Sequence, residues 1–546
     1  MIISATDFGI VPDKDISVKL TELFVRLSRT DEPKELLIPP GIYYLTAESC
    51  AFDTLFITNT VGDGEFSGDE RPHEAHIGLL LKNIKNLTVN AEGAIFVLDG
   101  KMTNAAIINC ESIELNGLEI RHKNPDEHEF TVLKKTPFSV DFRLDGDSRY
   151  EADEKIFRFT GRDYEESFFR FKNASWGWFG KIFADDINHI RREKNPFFGA
   201  LGIKEVEPYV FRVKYARTSR FTPGERYCVF NTRRQYVGIF IDKSKNIKLK
   251  GVSQRFNYSL ALVAQDSADI TVDGVHFSPA AGQEKQLVSL ADFMQFCMCR
   301  GKITVENSYF CGAGDDCLNV HGIHFSIVEN RGNEIKVRFM HAQTHGFNPL
   351  RTGDTVEFVE PKTLLPDGSA TILSSVLLNE TDIMLTLDDG SRAEAGMVIE
   401  DVSACPELDF KNNTLTRIIT RGLLITTQGN VTVEGNSFDN TEMAAILFSD
   451  DAKNWYESGR CTQVTVKNNR FGSCGAYNIQ ILPENGATGS IVHGSFVIEN
   501  NVFEKAVRGG IDANCAKSLA FMNNTGAGIS PKFVKCRNIS EFIGDK

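Results

Sequence analysis

Short runs rich in Val, Ile and Thr end repeatedly on an Asn or Gly turn, and the turns fall at a fixed interval. VENSYF (Asn307), KNNTL (Asn413), EGNSF (Asn436), KNNRF (Asn469), ENNVF (Asn501) and MNNTG (Asn524) carry the Asn form, with the last four intervals 23, 33, 32 and 23 residues. Gly251 and Gly274 are 23 apart, and Gly93 and Gly117 are 24 apart. A unit of 22–24 residues leaves room for strands of about five residues joined by sharp turns. Asn and Gly reach the left-handed turn conformation at low steric cost. Asn stacked at one point of successive coils can also bond as a ladder. A β-sandwich would space its strands irregularly. The recurrence therefore predicts an all-β fold, a right-handed parallel β-helix.

A solenoid needs covered ends. Ile16, Leu20, Leu23 and Leu27 share one helical face, which predicts a capping helix before a first strand in residues 36–45. Two stretches break the repeat without low-complexity linkers, and both read as inserted β-barrel-like domains. The division expected is a cap and first coils over 1–121, one insert over 122–236, coils over 237–325, a second insert over 326–404, and C-terminal coils over 405–546.

The most informative segment for chemistry is GAGDDCLNVHG, residues 312–322. It places Asp315 and Asp316 at a Gly-rich turn, with Asn319 and His321 on Asp315's side of the following strand by the period of two. Asp292 lies 23 residues earlier, one coil away, and adjacent coils are ~4.8 Å apart. Three carboxylates this close perturb one another, so one should hold a proton near neutral pH. That suits general acid–base hydrolysis of a glycosidic bond. An Asp-Asp turn by itself is more often a solvated turn or a Ca²⁺ ligand, and a lone His321 more often structural; the one-coil register of Asp292 favours catalysis. Arg421, in the coil after the Asp pair, offers a fork of donors. Asp450, Asp451, Trp455 and Glu457 sit in a polar aromatic loop that could bind sugar. Trp176 and Trp178 are as suited to the core of the first insert as to a sugar platform.

Composition limits the partners. The net charge of −13 argues against nucleic acid. No run of about 20 apolar residues offers a membrane span. The N-terminus lacks a secretory layout, so the expected location is cytoplasmic, or secreted or periplasmic if a leader was removed. The 12 Cys read as free thiols. Cys297, Cys299, Cys311 and Cys317 cluster without a zinc spacing, and no metal is expected. Nucleotide, zinc-protease and serine-elbow motifs are absent, so no cofactor is expected. The solenoid flank and insert surfaces could support a homodimer.

The capped β-helix and GDDC resemble the polygalacturonases of glycoside hydrolase family 28, but Asn-Thr-Asp, Gly-His-Gly and Arg-Ile-Lys are missing. The two inserts and GDDCLNVHG resemble glycoside hydrolase family 110, the exo-acting α-1,3-galactosidases, over about residues 5–530. That resemblance implies hydrolysis of terminal α-1,3-linked galactose, in blood group B-type or linear α-galactosides, with inversion and no metal. The partner would be an oligosaccharide or glycoconjugate with terminal α-galactose. On the matching positions Asp315 would be the general acid, with Asp292 and Asp316 activating water. Substrate contacts would fall to Asn319, His321, Arg421, Asp450, Trp455 and Glu457. A pectin hydrolase, a non-catalytic carbohydrate-binding solenoid and a Ca²⁺-dependent lyase or epimerase are the alternatives.

Overall fold

The computed structural model describes residues 1–60, 73–125, 127–152, 156–159, 168–170, 178–230, 234, 236–485, 488–505, 507–526 and 534–544. A helix, Ser17–Leu27, covers the start of the solenoid with Ile16, Leu20, Leu23, Phe24 and Leu27 buried. Behind it the chain winds into coils of parallel strands. One coil runs through Met294–Cys297, Arg300–Glu306 and Tyr309–Ala313, and the next opens on Leu318–Ile323. In-register parallel pairing joins each strand to the same strand of the next coil, for example Met294 to Leu318 and Leu318 to Leu423.

The Asn-Asn pairs divide their work. The first member takes the left-handed conformation, as at Asn412, Asn468, Asn500 and Asn523. The second builds a buried ladder. Asn501 Oδ1 accepts from Asn469 N at 2.9 Å and Asn469 Nδ2 at 3.0 Å, while Asn501 Nδ2 donates to Val466 O at 2.9 Å. Inward-facing Phe residues stack along the same axis, with Phe438–Phe471 and Phe471–Phe503 centroids 5.1 and 4.9 Å apart. The intervals of 33 and 32 arise because residues between strands Ile446–Phe448 and Gln463–Lys467, and between Tyr477–Ile481 and His493–Glu499, loop out of the coil.

Both inserts leave the solenoid's register intact. Ala105 pairs with Ile239 across the first, and Lys302 with Glu407 across the second. The first holds a seven-stranded antiparallel sheet, from Glu127–Lys135 to Arg226–Phe230, over a core of Phe130, Phe142, Phe197, Phe211 and Phe221. Its edge strands, Ile190–Glu193 and Ala200–Glu207, do not pair with each other among the described residues. The second closes as a six-stranded barrel between Phe325 and Asp401. Trp176 lies outside the described residues, and Trp178 opens a strand of the first insert. Among the described residues no helix is long and apolar enough to cross a membrane.

Candidate active site

The site grows from one row across adjacent coils. The pairing of Met294, Leu318 and Leu423 brings Asp292, Asp316 and Arg421 into line two residues before each strand. Main-chain bonds hold the row: Phe293 N donates to Asp316 O at 2.9 Å, Asp315 N to Ala291 O at 3.2 Å and Cys317 N to Arg421 O at 3.2 Å. Gly314 makes the turn pack closely, because a Cβ there would sit 2.7 Å from Leu290 O. All three aspartates line one cavity of about 330 Å³.

The three carboxyls differ in their donors. Asp316 is buried, and its Oδ1 accepts from Thr420 Oγ1 at 2.6 Å, Arg421 Nε at 2.9 Å and Arg421 N at 3.0 Å. Arg421 Nη2 adds a contact of 2.8 Å to Oδ2. Burial alone would discharge Arg421, but Asp316 outweighs it and holds the guanidinium more firmly protonated than usual. Asp315 accepts from Arg234 Nη2 at 2.7 Å, with Arg192 Nη2 at 3.6 Å from its other oxygen. The Asp292 carboxyl accepts no hydrogen bond from a described side chain, while Ser289 Oγ donates at 3.1 Å to the main-chain carbonyl of Asp292. Its burial, then the charge of Asp315, push its pKa well above the ordinary carboxylate range, and Arg234 offsets part of this. Burial and the neighbouring Asp315 charge thus favour the protonated form of Asp292.

Other sequence-selected residues divide into those that reach the cavity and those that do not. Asn319 faces outward beside the triad, and its Nδ2 donates to Glu457 Oε1 at 2.9 Å. Glu457 arrives because strand Glu457–Ser458 folds back antiparallel on Gly322 and Ile323. Trp455, half exposed, forms a wall of the cavity and stacks on His341 at 4.3 Å. His321 lies behind this layer: Nδ1 bonds Gly322 O at 2.7 Å, so Nδ1 carries the proton, and Nε2 accepts from the Gln295 amide at 2.7 Å. Arg421 lines the cavity and turns its Nε–Nη2 edge onto Asp316. Asp450 points away from the cavity and pairs with buried His324 Nε2 at 2.9 Å. Its neighbour Asp451 lines the cavity instead and caps the loop, accepting from Lys453 N at 2.8 Å and Trp455 N at 2.7 Å.

Sequence reasoning missed Arg192, Arg234, Asn59 and Glu484. Arg192 comes from the first insert, and Arg234 from the return to the solenoid. Neither has a periodic position, so nothing in the pattern separates them from surface arginines.

Comparison with known proteins places this geometry. The model of a right-handed β-helix region matches residues 391–526, and that of the GLAA-B β-barrel domain II matches residues 334–395. The α-1,3-galactosidase A of Bacteroides thetaiotaomicron is 32% identical over 476 residues, covering 86% of this chain and 82% of that one. The α-1,3-galactosidase A of Bacteroides fragilis (strain ATCC 25285) is 31% identical, covering 95% and 86%. Among solved structures, a family 28 exopolygalacturonase of Yersinia enterocolitica aligns at TM-score 0.43 and 12% identity, covering 100% of this chain and 79% of that one. Fold, triad and relatives together define a β-helical glycoside hydrolase. Within that class the chain belongs to the α-1,3-galactosidase family, glycoside hydrolase family 110.

Proposed function

We propose that the protein removes terminal α-1,3-linked galactose from blood group B-type or linear α-galactosides, acting from the chain end with inversion. The observation that carries this reading is the cavity, which brings a buried Asp292 together with Asp315 and Asp316, each held by an arginine. Its volume of about 330 Å³ is at the small end of ligand pockets, ~300–1,000 Å³, which suits a terminal residue better than a threaded chain. Trp455 offers a ring face, and Asn319, Glu457 and Asp451 offer hydroxyl partners. A pectin hydrolase would need a cation for the galacturonate carboxylate, whereas Arg421 and Arg234 are engaged by Asp316 and Asp315.

In this reading Asp315 protonates the glycosidic oxygen while Asp292 and Asp316 take the proton of the attacking water. The proton that rests on Asp292 then moves to Asp315 when substrate excludes solvent. A second reading is favoured by the same proton: Asp292 is itself the acid. The two separate in leaving-group dependence. Asp315→Asn should abolish turnover of a natural disaccharide yet spare an activated aryl α-galactoside, while Asp292→Asn impairs both. The reverse pattern makes Asp292 the acid. Proton NMR of the first product tests inversion: β-galactose should appear before mutarotation, and initial α-galactose would overturn it.

A further inference from the structure

Away from the triad, three metal-ligating side chains converge at the seam between the solenoid and the barrel. His73 leads into strand Glu74–Lys82. His345 lies in the barrel connection between Glu334–Arg338 and Thr355–Glu360, and Glu380 in the turn between Leu365–Leu377 and Asp382–Leu387. One ligand atom from each lies within 4.8 Å of the other two. His345 Nδ1 is 3.9 Å from Glu380 Oε2, and the two imidazoles meet edge to face at 5.3 Å and 81°.

The surroundings hold these ligands together. Gly346 N donates to Glu380 O at 2.7 Å, which locks the two barrel loops side by side. Phe56 packs on His73 with centroids 4.1 Å apart and lies 6.1 Å from His345. Gly346 is left-handed (φ +83°), and a Cβ there would lie 2.0 Å from Phe56 Cδ1. Glycine thus lets the His345 loop close on the phenylalanine. The ring gives the cluster an apolar wall of the kind that controls solvent access to a metal.

We propose that His73, His345 and Glu380 bind a structural zinc ion that clips the first coils to the second insert. Two imidazoles and a carboxylate are a zinc ligand set, with a fourth position left for water. Calcium and magnesium take oxygen ligands. Bonds of ~2.1 Å place tetrahedral ligands ~3.4 Å apart, so the 3.9 Å pair need close by only about half an ångström. No sequence motif announces the site, because its ligands are 272 and 35 residues apart. The clip would also brace the triad from behind. Thr58 Oγ1 and Thr344 Oγ1 lie 3.0 Å apart, and Asn59 N donates to Gln343 O at 2.7 Å. Asn59 Oδ1 in turn accepts from Arg234, the donor to Asp315.

The test uses the full chain, stripped with chelator and dialysed, then titrated with Zn²⁺ by calorimetry while thermal unfolding is followed in parallel. One Zn²⁺ per chain, a higher unfolding temperature, and at least ~10-fold weaker binding in both His73→Ala and His345→Ala are expected. Circular dichroism checks that the variants fold, and His73→Gln and His345→Gln replace any that do not. Tetrahedral Co²⁺ bands in the visible spectrum of the wild type, absent from the variants, would support the same ligands. Absence of saturable Zn²⁺ binding in the wild type, equal affinity in the histidine variants, or equally tight Mg²⁺ and Ca²⁺ binding would each overturn the proposal.

Discussion

Arg421→Met offers the sharpest test of how the triad is held. It removes the Nε and Nη2 donors, at 2.9 and 2.8 Å, from a buried carboxylate. Thr420 Oγ1 and the main-chain N of residue 421 remain, at 2.6 and 3.0 Å. Each lost charge-assisted bond contributes ~1.5–3 kcal/mol, and breaking a buried ion pair on one side costs ~3–5 kcal/mol. The surviving donors put the expected loss at the lower end, about 3 kcal/mol. The energy arises from the stranded charge, so Asp316→Asn in the same chain should recover most of it, giving a coupling of at least ~2 kcal/mol. Urea unfolding of wild type, the two single variants and the double variant measures the cycle, with tryptophan fluorescence and circular dichroism compared because a chain with inserts need not unfold in one step. A single-variant loss below about 1 kcal/mol, or a double variant no more stable than Arg421→Met, would refute the argument.

Asp292→Asn should be more stable than wild type at pH 7 while losing activity. The folded pKa of Asp292 is raised, so wild type binds the extra proton when folded and loses stability as pH climbs from the unfolded value, ~3.9, through the folded one. The advantage of the variant should vanish at low pH, and a constant gap across pH would contradict the shift. Asn501→Leu should cost about 2–4 kcal/mol by stranding Asn469 N–H and Val466 C=O, and Asn524→Leu, at the last ladder position described, should cost less. Equal losses would show that the ladder does not act through buried satisfaction. Trp455→Ala should lower kcat/KM for a natural galactoside about tenfold, chiefly through KM, since its role is the ring face. A loss confined to kcat would place Trp455 in the chemistry.

The solenoid was legible because each coil repeats the same local problem: a turn that needs Asn or Gly, then a β-branched strand. The period placed Asp292 one coil before the Asp pair, 23 residues from Asp315; the strand pairing aligns it instead with Asp316, and all three residues share the cavity. The period has no authority outside the strands. In the loop 449–460 it could not choose between Asp450, which turns inward to His324, and Asp451, which reaches the cavity. It identified Arg421 but not its partner, because the guanidinium and Asp316 lie 105 residues apart in sequence and meet only once the barrel is looped out. Arg192 and Arg234 belong to an insert and its return, where alternation says nothing about what lies across the seam.

The inequality among the three aspartates has one structural origin, the neighbour each coil supplies. Asp316 is followed by the coil that carries Thr420 and Arg421, so every donor it needs comes from one segment. Asp315 is served from outside the solenoid, by Arg234 at the end of the first insert and Arg192 within it. Asp292 faces the preceding coil at Leu260 and Ala261, where Ala261 N is committed to Asp292's own carbonyl at 3.1 Å and Leu260 is buried and apolar. Burial there disfavours the charged carboxylate, and the Arg234 charge offsets only part of this. The solenoid therefore needs no special sequence at Asp292 to set its protonation. It needs an apolar coil below, a carboxylate pair above, and an insert whose arginines serve Asp315 first. The first insert acts on the site in this way: it brings Arg234 and Arg192 to Asp315, while Asp292, buried beside that charge, is pushed towards its protonated form.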